Sequence, residues 1–243
     1  MTSSVTAARQ DLQVQIFADG ASLPVIRDLA GNPLIKGFTT NPTLMKQAGV
    51  RDYMEFCAQA LELIGTAPIS LEVFSDDFKE MKRQALRLAS LAPSVYVKIP
   101  ITNTHRESSA DLVRQLSQEG VKVNVTAIFT LEQVDRILPS LVDGPGGYVS
   151  IFAGRIADAG VDPVPTMSAS VAKLKSFPHL QLIWASPREV LNVVQANDCG
   201  CHIITVTSDL LKKLSGLGKN LDDFSLETVS MFANDAKQAG YQL

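Results

Sequence analysis

A lysine in a strand-like segment is the residue whose surroundings point most directly to chemistry. Lys98 lies in the run Tyr96-Val97-Lys98-Ile99-Pro100, which is typical of a buried strand that ends at a proline. Because desolvation penalises a charged ammonium, burial favours the neutral amine, and a neutral amine attacks carbonyl carbons. The alternative is a lysine at the end of a strand whose long side chain reaches solvent.

Carboxylates elsewhere in the chain would complete a site for carbonyl chemistry. If Lys98 forms a Schiff base with a ketone, the iminium withdraws electrons and allows a neighbouring carbon–carbon bond to break. That cleavage needs a general base to remove a hydroxyl proton. Asp19 and Glu72 are the candidates, provided that their surroundings tune their pKa values.

Two arginines and a serine indicate a site for an anion. Arg155 and Arg188 carry forked donors that suit a phosphate group. The segment Ser186-Pro187-Arg188 is predicted to open a helix, whose free backbone N–H groups and dipole also favour an anion. A phosphorylated carbonyl compound therefore fits the set of residues.

The elements that must position these residues follow one pattern along the chain. Short apolar runs cover residues 14–18, 35–39, 69–73, 95–99, 121–126, 148–152, 180–185 and 202–206. Apolar strands that alternate with helices are typical of a parallel sheet covered by helices. Eight such units in 243 residues predict an α/β fold of the (β/α)8 barrel class. A doubly wound open sheet is the alternative, but no glycine-rich nucleotide fingerprint follows the first run.

Helical periodicity fills most of the intervals between these runs. It covers residues 52–64, 78–92, 110–119, 131–141, 164–177, 188–196 and 208–216. No linker interrupts the pattern, so we predict a single domain over residues 1–243, with a short N-terminal extension at 1–12. Residues 226–239 place apolar side chains on one helical face and predict a C-terminal helix that packs on its own barrel or on a neighbouring subunit.

The barrel prediction brings polar residues from different runs to one rim. In barrels of this class, functional groups lie at the carboxyl ends of the strands. The residues at or just beyond those ends are Asp19, Asn41, Glu72, Lys98, Asn124, Thr126, Arg155, Ser186 and Arg188. Single members have structural alternatives, since Asn41 can cap a turn before Pro42 and Asp19 can cap a helix. Their convergence from seven runs favours a catalytic site.

Composition indicates which kinds of partner the protein is not expected to bind and in which cellular compartment it is expected. The net charge of -3 comes from mixed acidic and basic residues and gives no indication of nucleic-acid binding. No apolar run reaches the roughly 18 residues that a membrane span needs. Cys57, Cys199 and Cys201 provide neither a disulfide framework nor a usual zinc spacing, so a reducing cytoplasm is expected.

Seven short motifs surround the rim residues and follow one another along nearly the whole chain. They are Phe17-Ala18-Asp19, Gly37-Phe38-Thr39-Thr40-Asn41-Pro42-Thr43, Ser70-Leu71-Glu72-Val73, Val97-Lys98-Ile99-Pro100, Asn124-Val125-Thr126, Phe152-Ala153-Gly154-Arg155-Ile156 and Ala185-Ser186-Pro187-Arg188. In this order they resemble the transaldolase/fructose-6-phosphate aldolase family. The threonine-asparagine-proline and lysine-isoleucine-proline signatures are specific in combination, and the chain is similar in length to the compact bacterial members.

The resemblance implies a role for each rim residue. It implies that Lys98 is the Schiff-base lysine, and that Asp19 is the acid/base that acts on the C4 hydroxyl of the donor. It implies that Glu72 and Thr126 hold the catalytic water. The substrate-binding positions that it implies are Asn41, Asn124, Ser150, Phe152, Arg155, Ser186 and Arg188. It implies neither a metal nor another cofactor, because the iminium does the work of a zinc ion.

The resemblance also separates two branches of the family. The aldolase branch tends to carry glutamine and tyrosine at the positions of Glu72 and Phe152, so both residues here favour a transaldolase. Such an enzyme moves a dihydroxyacetone unit from a ketose phosphate to an aldose phosphate. An aldolase that releases free dihydroxyacetone, a transaldolase for a sulfonated sugar and a non-catalytic sugar-phosphate-binding barrel are the alternatives. A homo-oligomer is expected, and the number of subunits stays open.

Overall fold

Parallel strands form a closed barrel in the computed structural model, which describes residues 12–241. The eight strands within this range are β1 (Gln15–Asp19), β2 (Ile35–Thr39), β3 (Ile69–Glu72), β4 (Val95–Pro100), β5 (Val123–Ile128), β6 (Gly147–Ile151), β7 (Leu180–Trp184) and β8 (Ile203–Thr207). Each strand pairs with the next in sequence, and β8 pairs with β1. The predicted (β/α)8 barrel is confirmed, and the open sheet is excluded.

Helices connect the strands and cover the outside of the barrel. The helices among the described residues are α1 (Leu23–Ala30), α2 (Pro42–Gln47), α3 (Tyr53–Ile64), α4 (Phe78–Ala89), α5 (Ala110–Gln118), α6 (Leu131–Ile137), α7 (Ala153–Asp158), α8 (Val164–Leu174), α9 (Leu191–Asp198), α10 (Ser208–Lys213) and α11 (Leu221–Ala239), with 3-10 turns at Leu138–Ser140 and Leu214–Gly216. Periodicity missed α1, α2 and α7, which have only eight, six and six residues and repeat an apolar face at most twice.

Side chains alternate along each strand, and this alternation separates the core from the site. In β4, Val95, Val97 and Ile99 are buried against the surrounding helices, whereas Tyr96 and Lys98 lie on the inner face of the barrel. The outer face therefore supplies the hydrophobic core. The inner face is left to carry polar groups toward the carboxyl ends of the strands.

Aromatic rings fill the inner face toward the amino ends of the strands. Phe17 packs edge to face on Tyr148 with ring centres 5.9 Å apart, and Tyr148 stacks on Tyr96 at 3.9 Å. A Cβ atom at Gly37 would lie 2.6 Å from the Phe17 ring, so only glycine leaves room for it. This packing fills the space below the polar residues and leaves the opposite end as the place for a ligand.

The last helix differs from the others because none of its residues is buried. α11 begins at Leu221, five residues before the predicted start at 226, because the Asn220 side chain caps it by accepting from the backbone N–H groups of Asp222 and Asp223. The predicted N-terminal extension at 1–12 lies outside the described residues except for Leu12. Between residues 12 and 241, no helix combines the length and the apolar character that crossing a membrane requires.

Candidate active site

The carboxyl ends of the strands open into a cavity of about 400 Å³. The predicted site residues that line it are Asp19, Asn41, Lys98, Thr126, Ser150, Phe152, Arg155, Ser186 and Arg188. Glu72 and Asn124 lie beside Lys98 on the neighbouring strands β3 and β5, in register with it, and both are buried. The structure thus brings together the residues that the rim argument selected.

Lys98 is held inside the barrel rather than reaching solvent. Its side chain is 11% exposed, and its Nζ lies 3.1 Å from Glu72 Oε1. The same nitrogen donates a hydrogen bond to the carbonyl oxygen of Thr40, which follows β2. The alternative of a strand-end lysine that snorkels to solvent is therefore wrong, and the amine is directed between the carboxylate and the cavity.

Glu72 sits in an environment that disfavours its charge. Burial raises the pKa of Glu72, and this effect exceeds the lowering of that pKa by Lys98 and by the hydrogen bond from Thr40 Oγ1 to Oε2, which is 2.9 Å long. Oε1 faces the Lys98 amine at ion-pair distance but has no aligned hydrogen-bond donor among the described residues. The Glu72 carboxyl group is therefore close enough to the amine to exchange a proton with it.

The backbone of Glu72 is fixed by a side chain from outside the barrel. The Tyr53 hydroxyl on α3 accepts a hydrogen bond from Glu72 N–H at 2.8 Å and donates one to Glu72 C=O at 3.1 Å. Strand β2 pairs with β3 only through Phe38 and Thr39, so the phenol replaces the missing strand at this point. Burial raises the pKa of Tyr53, which keeps its proton available for donation.

Asp19 lines the same cavity as Lys98 and holds a second set of contacts. Its Oδ1 accepts from Thr39 Oγ1 at 2.7 Å, and its Oδ2 faces Asn41 Nδ2 at 3.5 Å. Burial raises the pKa of Asp19, although Lys98 and both hydrogen bonds act in the opposite direction. The helix-cap alternative is wrong for Asp19, but it holds for Asn41, whose Oδ1 accepts from Leu44 N–H and caps α2.

A chain of hydrogen bonds orients the buried amide of Asn124. Ser150 Oγ donates to Asn124 Oδ1 at 2.7 Å, and Asn124 Nδ2 donates to Ser70 Oγ at 2.9 Å. The chain joins side chains of β6, β5 and β3 inside the barrel and holds the amide between two hydroxyl groups.

The basic part of the rim is partly neutralised. Arg188 makes a forked pair with Asp158 in which Nε donates to both carboxylate oxygens at 3.0 Å and Nη2 donates to Oδ2. This contact lowers the pKa of Asp158 and raises that of Arg188. The Arg155 guanidinium lies over the Phe152 ring, 5.1 Å from its centre, so both arginines are held at the mouth of the cavity.

The prediction that Ser186-Pro187-Arg188 opens a helix is wrong. The helix begins at Leu191, because the Asn192 side chain accepts from the N–H groups of Arg188 and Glu189 and holds the preceding segment in a turn. Ser186 has a φ of 62°. The helix-dipole argument for anion binding at this segment therefore does not apply.

A close backbone contact joins this turn to the preceding motif. A Cβ atom at Gly154 would come within 1.6 Å of the Ser186 carbonyl oxygen, and Gly154 N–H donates to the Ala185 carbonyl at 3.3 Å. Only glycine permits that approach. It places Ser186 beside Arg155 at the cavity mouth.

Several residues of the site were not predicted. Thr39 and Thr40 belong to a recognised motif but were given no role, although their spacing beside Asn41 was visible. Asp158 gave no signal, because charged residues in short helices are common. Tyr53 could not be found from strand ends, since it reaches the site from a helix.

The chain belongs to the transaldolase/fructose-6-phosphate aldolase family, whose model matches residues 16–243. A protein named probable transaldolase from Thermoanaerobacter sp. (strain X514) is 33% identical over 233 residues, which are 95% of this chain and 100% of the relative. Another of that name from Methanococcus maripaludis (strain C5 / ATCC BAA-1333) is 32% identical over 225 residues, covering 88% of this chain and 99% of the relative.

Solved structures support the fold at much lower identity. The dihydrodipicolinate synthase from Rhodopseudomonas palustris aligns with a TM-score of 0.57 at 13% identity and covers 92% of this chain and 79% of that chain. At this identity the likeness concerns the barrel alone.

Replacing Tyr53 with phenylalanine should destabilise the protein. Y53F leaves the N–H of Glu72 without a partner, which costs about 1–3 kcal/mol in the free energy of unfolding. Urea unfolding measures the loss, and Y241F is the matched control because the Tyr241 side chain is exposed. Equal stabilities for Y53F and the parent would show that the two hydrogen bonds of the phenol contribute nothing.

Proposed function

We propose that this protein is a transaldolase that transfers a dihydroxyacetone unit through a Schiff base on Lys98. The observation that carries the proposal is the enclosed amine of Lys98, 3.1 Å from the Glu72 carboxylate and open to the cavity. The donors are ketose phosphates such as fructose 6-phosphate or sedoheptulose 7-phosphate. The acceptors are aldose phosphates such as erythrose 4-phosphate or glyceraldehyde 3-phosphate.

The first step is attack of the Lys98 amine on the ketone carbon. The carbinolamine then loses its oxygen as water and leaves an iminium. Glu72 can supply and recover the proton in this step, since burial favours its neutral form. The Thr126 hydroxyl lines the cavity and makes no hydrogen bond within residues 12–241, so it is free to hold the water together with Glu72.

The second step breaks the bond between C3 and C4 of the donor. Asp19 removes the C4 hydroxyl proton, the bonding electrons move to the iminium, and the aldose phosphate leaves. The dihydroxyacetone unit stays on Lys98 as an enamine until it attacks the aldehyde carbon of an acceptor. Hydrolysis of the resulting iminium then releases the product ketose phosphate and frees Lys98. We assign the binding of the hydroxyl groups of this unit to Asn41 and Ser150, which line the cavity, and to Asn124, which is in register with Lys98 and accepts from Ser150.

The phosphate of either substrate binds at the mouth of the cavity. Arg155, Ser186 and Arg188 line one side of it, and the two guanidinium groups supply charge-assisted hydrogen bonds. Asp158 already accepts hydrogen bonds from Arg188. The ion pair therefore orients the guanidinium group and leaves only some of its N–H donors for the phosphate. A sulfonated sugar presents a similar anion and is the second candidate class of donor.

Glu72 and Phe152 support a transaldolase over an aldolase. Phe152 lines the cavity without a hydroxyl group, and the Arg155 guanidinium covers its ring. Without a hydroxyl donor at this position, the site has one fewer group that could activate water toward the enamine. The name probable transaldolase that the relatives carry supports the same choice.

Substitution of Lys98 should abolish turnover and covalent trapping. With fructose 6-phosphate and borohydride, the parent protein should gain the mass of a reduced adduct, whereas K98M should gain none. The rate should fall to the background level because, among the described residues, Lys98 is the one lysine that lines the cavity. K36M is the control, since Lys36 lies at the opposite end of the barrel and donates to Pro33 C=O. An adduct in K98M would identify another nucleophile.

Release of glyceraldehyde 3-phosphate should depend on an acceptor. The parent protein should release it from fructose 6-phosphate in the presence of erythrose 4-phosphate and at a much lower rate without it, because the enamine waits for an aldehyde. A coupled reductase assay measures both rates. Equal rates would make the protein an aldolase, and binding without any adduct would make it a non-catalytic barrel.

The exposed last helix supports a homo-oligomer as part of this proposal. Its large apolar residues are open to solvent, among them Leu226, Val229 and Phe232 on one face, and monomers rarely expose such a patch. The parent should therefore elute above the mass of one chain in light-scattering chromatography. V229E should lower that mass, whereas N234E, at an exposed position on the opposite face of the same helix, should not. A monomeric parent contradicts this part of the proposal. The cytoplasmic location stays a prediction.

A further inference from the structure

A row of three side chains leads from the interior of the barrel to Asp19. Thr205 on β8, Thr39 on β2 and Asp19 on β1 occupy neighbouring strands, and Thr205 and Thr39 are 5% and 1% exposed. Thr39 Oγ1 donates to Asp19 Oδ1 at 2.7 Å, and Thr205 Oγ1 is in hydrogen-bond contact with Thr39 Oγ1. The threonines therefore form a continuous connection that ends on the carboxylate.

Hydrogen counting fixes the direction of this connection. A threonine hydroxyl has one proton to donate and two lone pairs to accept with. Thr39 uses its proton on the Asp19 carboxylate, so it is the acceptor in its contact with Thr205. The Thr205 hydroxyl makes no other hydrogen bond in the described part of the chain. The one proton of the Thr205 hydroxyl is therefore donated to Thr39.

We propose that Thr205 is a positioning residue that acts through Thr39 to keep the Asp19 carboxylate oriented and ready to accept a proton. By donating to Thr39, it polarises the Thr39 hydroxyl and strengthens the bond to Asp19. It also prevents Thr39 from turning away from the carboxylate. The inference rests on the proposed function, in which Asp19 is the general base, and adds a residue on a strand to which the rim argument assigned none.

Other charges also act on Asp19 and must be kept constant in a test. Lys98 lines the same cavity and lowers the pKa of Asp19, and the charge of Asp19 in turn raises the pKa of Glu72. Asp209 on α10 lines a neighbouring groove beside Asp19. Asp19 is the one titratable group in the row, so substitution of either threonine changes the hydrogen bonding to Asp19 and removes no charged side chain.

The test is the acid limb of kcat/KM against pH for a set of valine variants. T39V removes a direct hydrogen bond to the ionised carboxylate and should move the limb to higher pH by about one unit. T205V should move it in the same direction by about 0.3 unit, because its effect is transmitted through one hydroxyl. The T39V/T205V double variant should show the limb of T39V alone, since Thr205 has no path to Asp19 without Thr39.

The control is T207V. Thr207 lies two residues after Thr205 on β8 and lines the same cavity. The Thr207 hydroxyl makes no hydrogen bond between residues 12 and 241, so this variant should keep the acid limb of the parent. Urea unfolding of each variant shows whether it is folded at the pH values used. The inference is overturned if the acid limb of T205V coincides with that of the parent. It is also overturned if the acid limb of the double variant is shifted further than that of T39V.

Failure of the proposed function has a different signature. If the parent protein gives no borohydride-trapped adduct on Lys98, the transaldolase proposal itself is wrong. If the adduct forms in the parent and in T205V at a pH above both limbs, the Schiff-base function stands. The position of the limb then decides the role of Thr205 alone.

Discussion

The site depends on one constraint, which is that an amine and two carboxyl groups share a space with little water. In bulk water Glu72 and Asp19 would both be charged, and donation of a proton by either carboxyl group would not be favoured. Inside the barrel, burial raises the pKa of both carboxyl groups even though Lys98 opposes it. The barrel therefore acts on the chemistry mainly by burying these groups, and the strands hold the Lys98 amine 3.1 Å from one of the two carboxyl groups.

Burial raises the pKa of both carboxyl groups, but the two groups differ in their contacts. Glu72 is enclosed, accepts from Thr40 and has an oxygen 3.1 Å from the Lys98 amine. Asp19 opens to the cavity, and both of its oxygens face donors. In the proposed mechanism, the carboxyl group beside the nitrogen therefore suits proton exchange on the Schiff base, and the carboxyl group that borders the cavity suits proton removal from the donor. Different surroundings thus divide one kind of side chain between two tasks.

Much of the fold was predictable because strand burial and barrel position are regular. Apolar runs marked all eight strands within two residues, and Glu72, Lys98 and Asn124 fell at adjacent strand ends as the (β/α)8 class requires. The turn at Ser186 was not predictable in this way. Its conformation depends on the Asn192 side chain and on the close approach of Gly154, which are contacts between segments rather than patterns within one segment.

Residues that act on the site through other residues also could not be predicted from the sequence, because their contacts join separate segments of the chain. Tyr53 reaches Glu72 from a helix and fills a gap where β2 leaves β3, so its role exists only because two strands separate at that point. Thr205 contacts Thr39 only because the barrel closes and brings β8 next to β1. Closure therefore does more than bury the outer faces of the strands. It brings β8 beside β1, and it thereby joins the Thr205 hydroxyl, through Thr39, to the Asp19 carboxyl group, which is the general base of the proposed mechanism.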